Sequence, residues 1–321
     1  MMKRISILLL ALVPTMLWAQ FAPEAGVAGT TAMHADSSAF VAWATGCTLE
    51  LGPQQIDSIS LGPVSYGADT DALGKADNMV VSLGDGGTAV LTFASPICNK
   101  RGPDFAVFEN PFHNLPHCFL ELAFVEVSSD GENYFRFPAV TNVPYDTQMG
   151  SFGVMDATLI HNFAGKYEVM YGTPFDLDEV EDNELLDKGN ITHVRLVDVI
   201  GNIDPQYATY DSEGHIVNDP WPTPFWSSGF DLDAVGVIHD RDHYDVAENE
   251  VDEIALYPNP MRDRLTVNAE NLQSVEVFNL MGQLVMTSTS SVVDMDGLDQ
   301  GIYFVRVKAN GKMITKRIVK Q

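Results

Sequence analysis

The sequence predicts an all-β protein: a jelly-roll-like sandwich core with long insertions and one or two short helices, followed by a second, smaller β-sandwich. Three observations carry this. Short runs of alternating apolar and polar residues recur along most of the chain, separated by Gly, Asn and Asp turn signals. Helical signals are confined to two short stretches. Charge also breaks between the two parts: the chain has 321 residues with 44 Asp+Glu against 18 Lys+Arg, yet residues 254–321 hold eight Lys/Arg and six Asp/Glu, net +2. With another +2 in the N-terminal stretch, residues 20–253 carry −26 − 4 = −30. Hydrophobic residues at 45% supply real cores and exclude a disordered acidic polymer. The acidic balance excludes a nucleic-acid binder, which needs a basic stripe to neutralise phosphates.

Taken in order, Lys3 and Arg4, the apolar run Ile5 to Leu17 and the end Leu17-Trp18-Ala19 predict a signal peptide over 1–19, cleaved after Ala19. That run is shorter than the roughly 20 residues a membrane span needs, and no later stretch matches it, so the mature chain is expected to be exported without a transmembrane segment. The core, 20–240, opens with a short helix capped by Asp36, with Ser37 to Ala44 as body and Gly46 as stop. Met79–Leu83, the turn Gly84–Gly87 and Thr88–Phe93 read as a hairpin. Asp104–Glu109 reads as a buried strand, and Phe119–Ser128 as a longer one that turns through Ser129-Asp130-Gly131 into Tyr134–Phe137. An acidic segment after Pro174, Phe175 to Asp187, predicts the one substantial helix. His193–Ile200 and Phe230–Ile238 close the core. An acidic, aperiodic linker follows over 241–253.

The tail, 254–321, shows short alternating runs with turns at Met281-Gly282, Asp296-Gly297 and Asn310-Gly311, a sandwich of about six or seven strands. Its motifs are specific. Tyr257-Pro-Asn-Pro260, Phe278-Asn-Leu-Met-Gly-Gln-Leu-Val285, Leu298-Asp-Gln-Gly-Ile-Tyr-Phe-Val305 and Lys312-Met-Ile-Thr-Lys-Arg-Ile-Val-Lys320 resemble, in order, the C-terminal sorting domain of type IX secretion cargo. The resemblance implies an Ig-like sandwich recognised by the type IX translocon of Bacteroidetes-group bacteria, and display at the cell surface, often on lipopolysaccharide after the domain is removed. In the core, Val125-Glu-Val-Ser-Ser-Asp-Gly-Glu-Asn-Tyr-Phe135 resembles the strand-turn-strand signature of discoidin and related galactose-binding-like sandwiches. The core as a whole is similar to uncharacterised surface proteins of the same bacterial group.

Acids on apolar strands are the first functional signal. By alternation, Asp231 and Asp233 share a face with Val235 and Val237, Asp198 one with Val194 and Leu196, and Glu121 one with Phe119 and Val125. Buried carboxylates must be protonated, paired or metal-bound, and residues 20–253 hold only eight Lys/Arg against 38 acids. A structural Ca²⁺ with oxygen ligands is the economical answer, with Asp231 and Asp233 first and Asp104, Glu109 and Asp198 behind them. The alternative leaves these acids at strand ends in water. The second signal is aromatic: Tyr207, Tyr210, Trp221, Phe225 and Trp226 fall among prolines and acids in the long connection Gly201–Gly229, a surface suited to sugar rings. Packing over an open end of the sandwich is the alternative.

Cys47, Cys98 and Cys118 make an odd number for an oxidising destination; a Cys98–Cys118 bridge is expected, with Cys47–Cys98 as alternative. No sequence spacing of Cys and His indicates zinc or haem. There is no HExxH and no GxSxG, and His113 and His117 occupy a Pro-containing loop. The expectation is a calcium-stabilised surface module that binds an extracellular ligand, a glycan first. A secreted glycan hydrolase or lyase, an adhesin or structural protein, and a corrinoid-capture protein are the alternatives.

Overall fold

Alternating burial along short strands organises the larger part of the molecule. The computed structural model describes residues 21–243, 254–269, 271–309 and 312–321, and the chain divides into two compact units, residues 1–243 and 244–321. The expected signal peptide, most of the acidic linker and the Asn310-Gly311 turn lie outside the described residues. In chain order the first unit contains β1 (Met33–His34), β2 (Ala42–Trp43), β3 (Gly46–Glu50), β4 (Val81–Ser82), β5 (Thr88–Ile97), β6 (Phe105–Phe108), β7 (Phe112–Asn114), β8 (His117–Phe119) and β9 (Ala123–Ser128). There follow β10 (Phe135–Arg136), β11 (Val140–Thr141), β12 (Ile160–His161), β13 (Phe163–Ala164), β14 (Tyr171–Phe175), β15 (Ile191–Asp198), β16 (Asp231–Leu232) and β17 (Ala234–Val237).

Two antiparallel sheets form the sandwich. One is five-stranded in the order β1-β14-β6-β17-β2; the other is six-stranded, β10-β9-β15-β5-β3 with β13 added on β9. Phe105 and Val107 from β6 and Val235 and Val237 from β17 meet Leu91 from β5, Val125 and Val127 from β9, and Val194 and Leu196 from β15 in one buried cluster. Each such side chain contributes about 1.5–3 kcal/mol of burial. The outer face of the first sheet, Ala106, Phe108 and Ala234, is apolar too and is covered by Phe40 and Trp43.

That cover explains one departure from expectation. Ser37 to Ala44 forms turns and the edge strand β2 rather than a helix. The Val41 and Ala44 amides donate to the Val237 and Val235 carbonyls, so pairing with β17 outcompetes local helix formation. The expected helix over Phe175–Asp187 is likewise absent: β14 ends at Phe175 and only Leu177–Glu179 makes a 3₁₀ turn. Phe175, Leu177, Val180 and Leu186 all enter the core, a spacing that no 3.6-residue period satisfies. The expected hairpin of Met79–Leu83 with Thr88–Phe93 is also replaced. β4 pairs with β16 while β5 pairs with β3 and β15.

The expected Cys98–Cys118 bridge does not form; Cys47, Cys98 and Cys118 are all free. Cys98 follows β5, its amide donating to the His239 carbonyl, whereas Cys118 sits in β8 against the His113 imidazole. The two thiols belong to different neighbourhoods of the sandwich.

The second unit is a seven-stranded sandwich. A three-stranded sheet runs from Ala255–Tyr257 through Arg264–Asn268 to Val292–Asp294. A four-stranded sheet orders Leu284–Ser288, Leu272–Phe278, Gly301–Ala309 and Lys312–Lys320. Leu265, Val267, Val275, Val277, Val305, Val307 and Ile318 fill its core.

Candidate functional site

The carboxylates that cluster do so because a strand breaks. Phe230 and Leu232 face the inter-sheet core, and so do Val235 and Val237. Strict alternation from 230 would have put 234 there instead; Ala234 lies on the outer face. The phase slips at Asp233, between β16 and β17, where the Asp233 amide donates to the Phe108 carbonyl. The expected common face of Asp231, Asp233, Val235 and Val237 is therefore corrected: Asp231 and Val235 point to opposite sides.

The slip brings Asp231 to the end of β6, beside Glu109, and to Glu121 just before β9. One carboxylate oxygen from each of Glu109, Glu121 and Asp231 lies within 4.8 Å of the others. Glu109 is 2% exposed and Asp231 9%. The Ser82 hydroxyl donates to Asp231 across the β4–β16 pair. Glu109 Oε2 is buried with no hydrogen-bond partner, and so is Asp219 Oδ1 nearby. Burial, then the Asp231 charge, holds both Glu109 and Glu121 well above the ordinary carboxylate range. Burial pushes Asp231 up to about 6. Four of the unit's cations pair with other acids: Arg136 and Arg195 with Glu126, Lys75 with Asp36, Lys188 with Asp182. Three hard oxygen donors, one of them orphaned, fit a divalent cation of the calcium type.

The other acids expected as ligands have different employment. Asp104 accepts from the Lys100 amide at 2.8 Å, the Leu177 amide at 2.9 Å and His239 Nδ1 at 2.8 Å. Asp198 accepts from the Gly86 and Phe230 amides at 2.9 and 2.7 Å. Asp233 accepts from the Asp77 and Asn78 amides, both at 3.1 Å. These three are latches that tie loops to strand ends. Sequence reasoning identified Glu121 as a buried acid without making it a ligand, because its partners lie far away in sequence.

A cleft of about 340 Å³ opens beside the cluster, lined by Glu121, Asp231 and Asn110 and walled by Phe112, Phe119, Phe152, Phe225 and Trp226. Phe112 and Phe119 are cross-strand partners in the β7–β8 hairpin, their rings stacked 5.0 Å apart. Phe119 meets Phe152 at 6.0 Å, and Phe152 meets Phe225 at 5.9 Å. Trp226, 56% exposed, stands edge-on to Tyr66 at 5.2 Å. A buried amide network fixes the two loops that carry these rings. Asn218 Oδ1 accepts from the Met149 amide at 2.9 Å, while its Nδ2 donates to the Pro144 and Thr147 carbonyls. Gln148 Nε2 donates to the Gly201 carbonyl at 2.9 Å. Gly165, at φ 83°, passes so close that a Cβ there would meet the Glu121 carbonyl oxygen at 1.9 Å.

The expected aromatic set therefore divides. Phe225 and Trp226 line the cleft. Tyr210 lines a different pocket, beside Arg136, Asp178 and Lys188. Tyr207 accepts from its neighbour Gln206 Nε2 at 3.0 Å, and Trp221 is half-buried, its amide donating to the Met149 carbonyl. Phe112, Phe119 and Phe152 went unnoticed in the sequence because each sits in a different short segment.

Together the fold and tail define a class: an exported β-sandwich module carrying a dedicated sorting domain. Residues 255–321 match the secretion system C-terminal sorting domain. That domain marks a type IX-secreted protein of the cell surface. Among the described residues no helix is long and apolar enough to cross a membrane. The chain is also similar to an ulvan lyase of Nonlabens ulvanivorans, 37% identical over 83 residues, which is 23% of this chain and 16% of that protein. The chain thus spans less than a fifth of the length of that curated relative.

Proposed function

We propose that the core is a glycan-binding module whose site is the aromatic cleft, with a Ca²⁺ ion held by Glu109, Glu121 and Asp231 at its floor. The single observation that supports this most is the convergence of three mutually close carboxylates, one with an orphaned oxygen and two lining the cleft, with the exposed Phe225 and Trp226. Aromatic faces stack on sugar rings, and a calcium ion with three protein carboxylates has coordination positions left for vicinal hydroxyls. The likeness to a polysaccharide lyase supports a glycan as the ligand class. Binding is preferred to lyase chemistry because the lining carboxylates that could serve as a base, Glu121 and Asp231, are the ones assigned to the ion.

Calorimetric titration of the purified chain with oligosaccharides, with calcium and then with chelator, tests this. Trp226→Ala is expected to weaken binding by about tenfold or more while leaving the melting temperature in place, since the indole is largely exposed. Oligosaccharide shortening, or unsaturated ends absorbing in the ultraviolet, would replace the binding reading with an enzymatic one. Equal affinity in calcium and chelator would remove the ion from the site.

A further inference from the structure

On the other side of the β7–β8 hairpin lies a donor set of different chemistry. His113 and Cys118 are directly opposed in the hairpin register, on the face that alternates with the cleft-lining Phe112 and Phe119. His113 Nδ1 and Cys118 Sγ are 3.2 Å apart. Glu24, from the N-terminal segment, completes a trio in which one ligand atom from each residue lies within 4.8 Å of the others. His117 Nδ1 holds Glu24 Oε1 at 3.1 Å, and Glu168 Oε2 approaches His113 Nδ1 at 3.9 Å.

We propose that Glu24, His113 and Cys118 form a binding site for a divalent transition ion of the zinc class, oriented by His117 and with Glu168 at its edge. Tetrahedral zinc with Zn–S of about 2.3 Å and Zn–N of about 2.0 Å separates its ligand atoms by roughly 3.3–3.7 Å, so the His113–Cys118 spacing is near one edge of such a site. Thiolate and imidazole select this class over calcium or magnesium, which makes the site chemically distinct from the carboxylate cluster. His117 against Glu24 reproduces the carboxylate–imidazole pairing that fixes ligand orientation in metal centres. On binding, the Cys118 thiol transfers its proton to solvent as the metal–sulfur bond forms, with no change of oxidation state.

Placement gives the ion a purpose. Cys118 is buried, whereas Glu24 is half-buried and His113 exposed, so the site has an entry path. The Pro111 carbonyl accepts from the Val169 amide and the Cys118 carbonyl from the Met155 amide, so the loop before β14 and the segment carrying Met155 flank the hairpin. An ion here ties the N-terminal segment to the hairpin that walls the cleft.

The test uses the full chain, stripped with chelator and titrated with Co²⁺ alone. The expected result is one equivalent of a near-ultraviolet thiolate-to-cobalt band, retained in a Cys47→Ser/Cys98→Ser double variant and lost in Cys118→Ser. Because Cys118 is buried, His113→Gln at the exposed position is the second variant. It should weaken Zn²⁺ binding by about tenfold or more while the metal-free melting temperature stays unchanged. Absence of the band, its survival in Cys118→Ser, or unchanged Zn²⁺ affinity in His113→Gln would each overturn the proposal.

Discussion

Two groups of buried carboxylates in one sandwich meet opposite fates. Asp104, Asp198 and Asp233 each accept from at least two backbone amides, so their oxygens have hydrogen-bond donors within the fold. Glu109, Glu121 and Asp231 face one another, and Glu109 Oε2 accepts from nothing. Burial of an acid is thus no sign of a metal. The distinguishing marks are mutual approach and an unmet acceptor, because like charges in a low dielectric must bind a proton or a cation.

The sharpest break of this comparison is Asp198→Ala. It strands the Gly86 and Phe230 amides inside the protein, and the expected loss is about 3 kcal/mol in a denaturant titration. Calcium should leave that loss untouched. Asp231→Asn should do the reverse: stability in chelator is kept or raised, because a like charge is removed, while stabilisation by calcium disappears. In the unsubstituted protein that stabilisation is about 2.7 kcal/mol at a hundredfold excess over Kd, roughly 5–10 °C for a unit of this size. If the two variants responded alike to calcium, the division into latches and ligands would fail.

Much of the division of labour between strands was legible in the sequence, and its failures have physical causes. Short, nearly continuous apolar runs located β6, β9 and the β16–β17 stretch, because a strand covered on both faces is apolar on both, and alternation located β15. The sorting domain was legible throughout, since its motifs are local. Period failed at Asp233, where a backbone amide captured by the Phe108 carbonyl shifts the phase by one residue; nothing in Phe230-Asp-Leu-Asp-Ala-Val235 records that capture. Two helices were expected where apolar residues and acids alternate loosely, and tertiary pairing overrode them. The site was half legible. Asp231, Glu109, Phe225 and Trp226 carried a signal, whereas Phe112 and Phe119 meet only across the β7–β8 hairpin and Phe152 joins them from a loop held by the amide network around Asn218.

Acidity sharpens the same comparison with a smaller effect. Asp231, Asp233 and Asp85 are each pushed up to about 6 by burial. A raised carboxyl contributes stability that is fully present below its unfolded value near 3.8 and is lost as pH rises through about 6. In chelator the melting temperature should therefore fall between about pH 4 and pH 7. Calcium should flatten the part due to Asp231, since the ion favours the ionised form, and leave the parts due to Asp85 and Asp233. Melting curves across this range, with and without calcium, are expected to diverge above about pH 6 in the unsubstituted protein and to coincide in Asp231→Asn. Coincidence in both would return Asp231 to the company of the latches.

The smallest expected effect concerns the thiols. With Cys47, Cys98 and Cys118 all free, a reductant has no disulfide to cleave, and the melting temperature of freshly prepared protein should not move on adding a phosphine. A fall of several degrees would mean that a bridge had been closing a loop of the unfolded chain, an effect worth about 2–4 kcal/mol. Because Cys98 and Cys118 lie among different neighbours, such a bridge would require the β7–β8 hairpin to leave its place, and the aromatic wall of the cleft would move with it. The reductant experiment therefore reports on the cleft as well as on the cysteines.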